Sequence, residues 1–318
     1  MTTPQPQTHF VDRLLSRIAS TGGPVCVGID PIFGLLPDAL RRRGDSPPQQ
    51  LDAIVDFSLA ILKHAVNHAA CVKFQSAYFE RYHAPGVEAY YSLITEAKSL
   101  GLETIGDVKR GDIGSTSQAY AEAHLAEPEG PHHDELEDEA YTTPDAITVN
   151  PMLGLDGVEP FITIARGLGK GVFLLVRTSN PGSAALQDVA LADGRTWSEA
   201  LADLIAPLTD LPGMLGTSGL SNLGAVVGAT QTHTMISLRK RLPKSVFLLP
   251  GYGTQGATAD MTRSAFMNGR GAIVSASRSI LYAYREEKYK ALADRSWELA
   301  VEAAMLDMKR DLSRIISE

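Results

Sequence analysis

The stretch LETIGDVKRGDIG (residues 102–114) joins a short apolar run to a charged turn. The run ends at Asp107, and Lys109 and Asp112 follow within five positions. Side chains two positions apart on a strand point to the same face, so Asp107 and Lys109 are predicted to share one face. Asp112 lies beyond the bend expected at Gly111. The stretch therefore predicts a strand whose carboxyl end presents an acid and a base to the same spot.

The same pattern, an apolar run followed by a polar or glycine-containing loop, occurs eight times along the chain. The runs are continuous rather than alternating in hydrophobicity, which is typical of parallel strands covered on both faces. Segments with helical periodicity lie between them; Ile54, Phe57, Ile61 and Ala65, for example, share one helix face. Eight strand–helix units predict an α/β fold of the TIM (β/α)8-barrel type. The predicted strands are residues 24–30, 70–74, 102–107, 145–149, 171–176, 223–229, 245–249 and 271–276.

We expect one barrel domain over residues 1–318, with surface insertions and a C-terminal helix. A doubly wound open sheet is the alternative. That fold usually has fewer strands, and GIDPIFG (residues 28–34) lacks the glycine pattern of a dinucleotide-binding turn. A barrel with helices outside is therefore the favoured prediction.

Four segments do not fit the repeat. Residues 12–20 predict a helix that covers the bottom of the barrel. The acidic segment 126–140 lacks an apolar face and predicts a solvated insertion loop. The long segment 181–222 contains one predicted helix, around WSEALADLIAPL (residues 197–208). Residues 286–316 are strongly helical and are expected to pack outside the barrel or on a partner subunit.

Composition limits the classes of function. The chain has 318 residues, of which 44% are hydrophobic and 21% are charged, and its net charge is -8. An acidic chain is a poor binder of nucleic acid or of a membrane surface, so a bound phosphate would need a local site. Cys26 and Cys71 lie in apolar runs and are predicted to be core residues. Without an apparent signal peptide or membrane span, we expect a cytoplasmic protein.

The charged residues at the predicted strand ends are the first candidate site. Lys73 follows the second strand, and Asp107 and Lys109 end the third. In a barrel these ends line the active site, where two lysines and two aspartates, including Asp112, would compensate one another. The alternative is a solvated loop with incidental charges, because a D-x-K-x-x-D pattern alone is weakly specific. No histidine spacing indicates a metal site.

A second candidate site is a phosphate pocket. PGYGTQG (residues 250–256) has three glycines after the seventh strand, and Arg278 follows the eighth. Loops after these two strands form the usual phosphate site of this barrel, and an arginine adds charge-assisted hydrogen bonds. A tight turn is the alternative for the glycines. Asp30 at the first strand end could bind sugar hydroxyls or cap a turn, and Ser179 could bond a heterocycle edge or cap a turn.

Seven motifs together resemble those of the orotidine 5′-phosphate decarboxylase family, in particular its longer subclass. They occur in the family's order between residues 27 and 281. The resemblance implies a carboxy-lyase that converts orotidine 5′-phosphate to UMP and CO2 in de novo pyrimidine biosynthesis. It also implies a homodimer and no metal or organic cofactor. The motifs are VGIDP, VKFQSAYFE, DVKRGDIGST, ITVNPMLG, VRTSNPG, LPGYGTQG and SRSIL.

The resemblance assigns catalysis to a Lys-Asp-Lys-Asp array of Lys73, Asp107, Lys109 and Asp112. Lys109 would stabilise and protonate a carbanion at C6 of the substrate, and Asp107 would crowd the departing carboxylate. Asp112 would enter the neighbouring subunit's site together with Thr116, which would contact the ribose there. Lys73 would neutralise the pair of aspartates.

The resemblance also assigns substrate-binding residues. Asp30 would bind the ribose hydroxyls, and Ser179 would bond the pyrimidine edge. Gln255 would bridge pyrimidine and phosphate. Arg278 and the backbone near Gly253 would hold the phosphate.

Two alternative functions remain. A 3-keto-L-gulonate 6-phosphate decarboxylase or a hexulose phosphate synthase also uses D-x-K-x-x-D, but is expected to hold Mg2+ with a glutamate where this chain has Lys73. A catalytically silent phosphate-binding barrel is the other alternative. It would gain nothing from burying two Lys-Asp pairs.

Overall fold

The computed structural model describes residues 8–126 and 142–317. Within these ranges eight parallel strands close into a barrel in chain order, each paired with its sequence neighbours and β1 with β8. The predicted TIM barrel is therefore confirmed, and the open-sheet alternative is wrong. The strands are β1 Val25–Ile29, β2 Cys71–Gln75, β3 Glu103–Arg110, β4 Ala146–Val149, β5 Gly171–Arg177, β6 Ser221–Val227, β7 Ser245–Pro250 and β8 Ala272–Ala276.

Helices connect the strands and cover the outside of the barrel. The long helix α3 buries the predicted face of Ile54, Phe57, Ile61 and Ala65. Short 3-10 turns occur in several loops, for example at Phe33–Leu35. The helices are α1 Phe10–Thr21, α2 Asp38–Arg41, α3 Pro47–His68, α4 Ala77–Glu80, α5 His83–Ser99, α6 Gly114–Leu125, α7 Glu159–Leu168, α8 Ala184–Gln187, α9 Trp197–Ile205, α10 Thr232–Arg241, α11 Ala259–Thr262, α12 Arg278–Leu281, α13 Lys290–Ala293 and α14 Trp297–Ser317.

All eight predicted strands are present, but β3 extends further than predicted. It continues to Arg110, and its register against β4 shifts between Gly106 and Arg110. Lys109 lies within this shift with a φ of 45°, a left-handed conformation that is rare for residues with a side chain. The strand therefore reaches into the mouth of the barrel instead of ending at Asp107.

Helix α1 closes the amino-terminal end of the barrel, as predicted. Phe10 and Leu14 are buried in a cluster with Cys26, Cys71 and other strand residues. The Phe10 ring meets the Phe173 ring edge-on, with centroids 6.1 Å apart. Both thiols are buried and free, so the cysteines are core residues as predicted.

The other irregular segments also have defined places. A capping box starts α9, because Thr196 and Glu199 exchange side-chain and backbone hydrogen bonds. The C-terminal helix α14 packs against α3 and β1 on the outside of the barrel, where Trp297 stacks on Phe57 at 5.1 Å. Of the predicted insertion loop at 126–140, all but Ala126 lies outside the described residues. Among the described helices, none has the length and apolar content needed to span a bilayer.

Candidate active site

The carboxyl ends of the strands surround a cavity of about 580 Å³, called here the pocket. Side chains from the carboxyl ends of all eight strands, or from the loops that follow them, reach it, and apolar residues from β5, β6 and β7 contribute to its lining. This placement agrees with the general rule for barrel enzymes. Among the predicted site residues, the pocket is lined by Asp30, Lys73, Asp107, Lys109, Ser179, Gln255 and Arg278.

Three residues of the predicted charged array are in direct contact. Lys73 Nζ donates to Asp107 Oδ2 at 2.7 Å, and Lys109 Nζ donates to Asp107 Oδ1 at 2.5 Å. The Asp30 carboxylate lies 3.8 Å from Lys73 Nζ. The side chains of Lys73 and Asp107 are less than a tenth exposed, whereas that of Lys109 is 45% exposed. Lys109 therefore joins a buried ion pair to the open part of the pocket.

The pair of Lys73 and Asp107 is held ionised. Burial alone would raise the pKa of Asp107, but the ammonium groups of Lys73 and Lys109 hold it well below its usual range. Burial likewise opposes the charge of Lys73, but the carboxylates of Asp107 and Asp30 raise the pKa of this ammonium group above its usual value. The pocket therefore presents a fixed pattern of charge at neutral pH.

Two residues that the sequence analysis did not select complete the surroundings of Asp107. Thr148 in β4 donates its hydroxyl to Asp107 Oδ1 at 2.9 Å and accepts the Lys109 amide at 3.0 Å. Gln75 donates its side-chain amide to Asp107 Oδ2 at 3.2 Å. Because Gln75 and Thr148 lie at the carboxyl ends of β2 and β4, their position could have marked them as candidate site residues. Both stand in motifs noted above, VKFQSAYFE and ITVNPMLG.

Asp112 and Thr116 lie outside this chain's own pocket. Asp112 follows β3, and its Oδ1 accepts the Ile113 amide at 2.8 Å. Thr116 is exposed in the first turn of α6. The expectation that both residues enter a neighbouring subunit's pocket stays a prediction.

The predicted phosphate residues lie on the loops after β7 and β8. Arg278 is exposed at the start of α12, and among the described residues none accepts a hydrogen bond from its guanidinium group. Gln255 lines the pocket from the β7 loop. Gly253 has a φ of 73° and donates its amide to the Ala257 carbonyl at 3.0 Å. In this loop conformation the Gly253 amide is therefore engaged within the loop.

Asp30 and Ser179 face the pocket from opposite sides of the barrel. Asp30 follows β1, and its Oδ1 is buried without a hydrogen-bond partner among the described residues. Tyr282 fixes the main chain here, since its hydroxyl donates to the Asp30 carbonyl at 3.2 Å and accepts the Ile32 amide at 2.7 Å. The Asp30 carboxylate is thereby available to a polar ligand.

The loop that carries Ser179 is held by an ion pair that the sequence analysis missed. Arg177 at the end of β5 is 2% exposed and binds both carboxylate oxygens of Asp188 at 2.8 Å. Its Nη1 also donates to the Thr178 carbonyl and to the Ser183 hydroxyl. The bidentate pair joins the two ends of this loop, called here the β5 loop (residues 178–188). Leu186 and Gln187 of the β5 loop also line the pocket.

Fold and site together are typical of a (β/α)8-barrel enzyme with lysine and aspartate side chains positioned in its pocket. Among the described residues, no three His, Cys, Asp or Glu side chains are grouped so as to hold a metal ion. Comparison with known proteins narrows this class. A family model described as the orotidine 5′-phosphate decarboxylase / HUMPS family matches residues 24–292. The chain belongs to this family.

Individual relatives agree with the family match. An orotidine 5′-phosphate decarboxylase of Rhodopirellula baltica is 39% identical over 95% of this chain and 98% of its own length. One of Deinococcus radiodurans is 38% identical over 86% of this chain and 89% of its own. Among solved structures, a putative orotidine 5′-phosphate decarboxylase of Streptomyces avermitilis is 30% identical and superposes with a TM-score of 0.78, covering 100% of this chain and 99% of that one. The resemblance inferred from the motifs is thus confirmed.

Proposed function

We propose that the chain decarboxylates orotidine 5′-phosphate to UMP and CO2, a step of pyrimidine biosynthesis, without a metal or organic cofactor. The observation that carries this proposal is the contact of Lys109 Nζ with Asp107 at 2.5 Å, inside a pocket that Lys73 also enters. An ammonium group held in place at the reacting carbon can stabilise a negative charge and then donate a proton to it.

The chemistry requires such a group. When the C6–CO2 bond breaks, its electron pair stays on C6 in an orbital in the plane of the ring, where π-delocalisation helps little. Lys109 stabilises this carbanion and donates a proton to C6, which forms UMP and leaves a neutral amine. Solvent then returns a proton to Lys109, whose side chain is 45% exposed.

Asp107 contributes through its negative charge. Its pKa lies well below its usual range because Lys73 and Lys109 outweigh the effect of burial. The substrate carboxylate would therefore meet a carboxylate that cannot take up a proton at neutral pH. The repulsion is relieved as CO2 leaves, so the barrier falls. The same charge attracts the ammonium group of Lys109 and directs it at C6.

Substrate binding is assigned to residues remote from C6. Arg278 and the loop around Gly253 hold the phosphate, and Gln255 bridges phosphate and pyrimidine. Asp30 binds the ribose hydroxyls, and Ser179 bonds the pyrimidine edge. These contacts supply the binding energy that orders the loops and excludes water. Support comes from the position of four of these side chains around one pocket and from the Oδ1 of Asp30, which has no hydrogen-bond partner in the described part of the chain.

We also propose that the chain forms one barrel domain and a homodimer that shares its active sites. Asp112 and Thr116 lie outside their own pocket, next to exposed apolar side chains. Ile113 is 56% exposed, Met152 50% and Leu153 58%. A second copy would cover these side chains and place Asp112 and Thr116 against its own pocket. We assign the enzyme to the cytoplasm, where the two free buried thiols stay reduced.

The test measures CO2 release from orotidine 5′-phosphate before and after treatment with EDTA. We expect equal turnover in both samples. No CO2 release from this substrate would contradict the assignment. Turnover that EDTA abolishes and Mg2+ restores would favour the metal-dependent members of the family. Lys73 argues against those members, because its ammonium group would repel a divalent cation from the Asp107 side of the pocket.

A further inference from the structure

Thr148 links the two groups on which the proposed reaction depends. Its hydroxyl donates to Asp107 Oδ1 at 2.9 Å and accepts the Lys109 backbone amide at 3.0 Å. The side chain is 1% exposed and projects from β4 into the pocket. One hydroxyl group therefore contacts both the carboxylate and the main chain of the proton donor.

The Lys109 main chain needs such a contact. Its φ of 45° is unfavourable for a residue with a side chain, and such conformations persist only where the surroundings hold them. At this point the β3–β4 register is interrupted between Gly106 and Arg110. The Lys109 amide therefore does not form a regular hydrogen bond of the β3–β4 pairing. It donates to the Thr148 hydroxyl instead.

The Asp107 carboxylate needs the same contact for its orientation. Its Oδ2 accepts hydrogen bonds from Lys73 and Gln75, and its Oδ1 accepts from Lys109. The ends of lysine side chains are mobile in principle, whereas a β-branched threonine is stiff at χ1. Thr148 is therefore the rigid donor that fixes Oδ1.

We propose that Thr148 is a positioning residue: its hydroxyl fixes the Lys109 main chain and the Asp107 carboxylate relative to each other, and so directs the ammonium group at the reacting carbon. The inference rests on the proposed decarboxylation. Thr148 acts through Lys109 and Asp107 and forms no bond to the reacting atoms. Its methyl group contributes only packing.

The test compares Thr148→Val, which replaces the hydroxyl by a methyl group of similar size, with Thr148→Ser, which keeps the hydroxyl. Thr104→Val is the matched control. The Thr104 hydroxyl likewise donates to a buried carboxylate, Asp145 Oδ2 at 2.8 Å, and accepts a backbone amide, that of Asp145 at 3.1 Å. Thr104 is in the second position of β3, at the opposite end of the barrel from the pocket.

We expect Thr148→Val to lower kcat by about 10- to 100-fold, the range expected when a reacting group is displaced by about 1 Å. The affinity for UMP should change by less than about threefold, because the phosphate and ribose contacts are untouched. Thr148→Ser should stay within about threefold of the wild-type kcat. Thr104→Val should lower the melting temperature about as much as Thr148→Val does and leave kcat unchanged.

Equal losses of kcat in Thr148→Val and Thr148→Ser would overturn the proposal, because the loss would then come from packing and not from the hydroxyl. A wild-type kcat in Thr148→Val would also overturn it. If the wild-type chain itself released no CO2 from orotidine 5′-phosphate, the proposed function would fail. Hydrogen exchange of the Lys109 amide would then test whether the Thr148 hydroxyl holds the Lys109 main chain. Faster exchange in Thr148→Val supports the positioning contact, and unchanged exchange refutes it.

Discussion

Lys73 Nζ and Asp107 Oδ2 are 2.7 Å apart in the mouth of the barrel, and both side chains are more than nine-tenths buried. Removing one member of such a pair leaves the other charge without compensation. We therefore expect Asp107→Asn to lower the free energy of unfolding by about 3 kcal/mol or more, because Lys73 and Lys109 then face each other without the carboxylate that lies between them. Urea denaturation at pH 7 would measure this loss.

Asp294→Asn is the control for this measurement, because Asp294 pairs with Lys290 on the surface and its side chain is 66% exposed. Its effect should stay within about 0.5 kcal/mol. Repeating the denaturation at several pH values tests whether the stability contribution of Asp107 changes with pH in the expected direction. The pKa of Asp107 is lowered in the folded state, so its contribution is present above about pH 4 and is lost as the pH falls below that value. A stability difference between wild type and Asp107→Asn that grew on acidification would contradict the assignment.

Lys109 should be essential for turnover and dispensable for product binding. Lys109→Ala removes both the stabilising charge and the proton donor, so we expect kcat to fall by at least about 1,000-fold. UMP should still bind within about tenfold of the wild-type affinity, because Arg278 and Asp30 remain. Steady-state assays and titration calorimetry with UMP measure the two effects. Lys290→Ala, at an exposed lysine of α13, serves as the control. Near-normal turnover in Lys109→Ala would reject the mechanism.

The shared site can be tested by mixing two inactive variants. In a dimer of Lys109→Ala with Asp112→Ala, one pocket carries both substitutions and the other carries neither. Random exchange of subunits should therefore restore up to about a quarter of the wild-type activity. The readout is activity after the two variants are unfolded and refolded together. Mixtures that stay as inactive as the separate variants would show that Asp112 does not act across an interface.

The ion pair of Arg177 and Asp188 should control the β5 loop and, through Ser179, substrate affinity. Arg177→Met would free both ends of the loop, and we expect KM for orotidine 5′-phosphate to rise by about tenfold or more with a smaller change in kcat. Arg195→Met is the matched control, because Arg195 pairs with Asp193 and Asp203 on the surface and its side chain is 38% exposed. An unchanged KM in Arg177→Met would show that the Arg177–Asp188 ion pair does not affect substrate affinity through the β5 loop.

Glu103, at the amino-terminal end of the barrel, should give stability an unusual pH dependence. Burial, and then the neighbouring Asp145 carboxylate, raise the pKa of Glu103 from 4.5 to about 7, although Arg13 opposes this. Between these values the folded chain binds more protons than the unfolded chain, so this contribution to stability falls as the pH rises.

Glu103→Gln isolates that contribution. The variant keeps the shape of the side chain and does not titrate, so the unfolding free energy of the wild type minus that of Glu103→Gln should decrease from pH 4.5 to 7. Taking this difference cancels other groups, such as His124, whose pKa burial lowers to about 4. A difference that increased with pH would mean that the Arg13 ion pair outweighs the effect of burial.

Much of the site followed from the sequence because strand ends in a barrel meet at one place. Lys73, Asp107 and Lys109 were predicted to converge on this ground, and the structure brings them within hydrogen-bond distance. The strand pattern was equally informative, since short continuous apolar runs between helical segments are typical of parallel strands that helices cover. Asp112 could be placed only as far as its position after β3, because its proposed partner is another chain.

Other features depend on contacts that no local pattern specifies. Thr148 stands in a four-residue strand where a threonine is an ordinary β-former, so its role becomes visible only when β4 is placed beside β3. The ion pair of Arg177 and Asp188 joins residues eleven positions apart across an irregular loop. The left-handed φ of Lys109 is also a product of the tertiary structure, because lysine has no preference for it.

The hydroxyl–carboxylate contacts of Thr104 with Asp145 and of Thr148 with Asp107 join the same two strands at opposite ends. A slip of β4 by one residue along β3 would invert the faces of its side chains. Both buried carboxylates would then lose their hydroxyl donors at once, and each loss is costly. Each of the two threonine contacts therefore disfavours a shifted register between β3 and β4. The register that assembles the charged pocket is thus also the one that is most stable for the folded barrel.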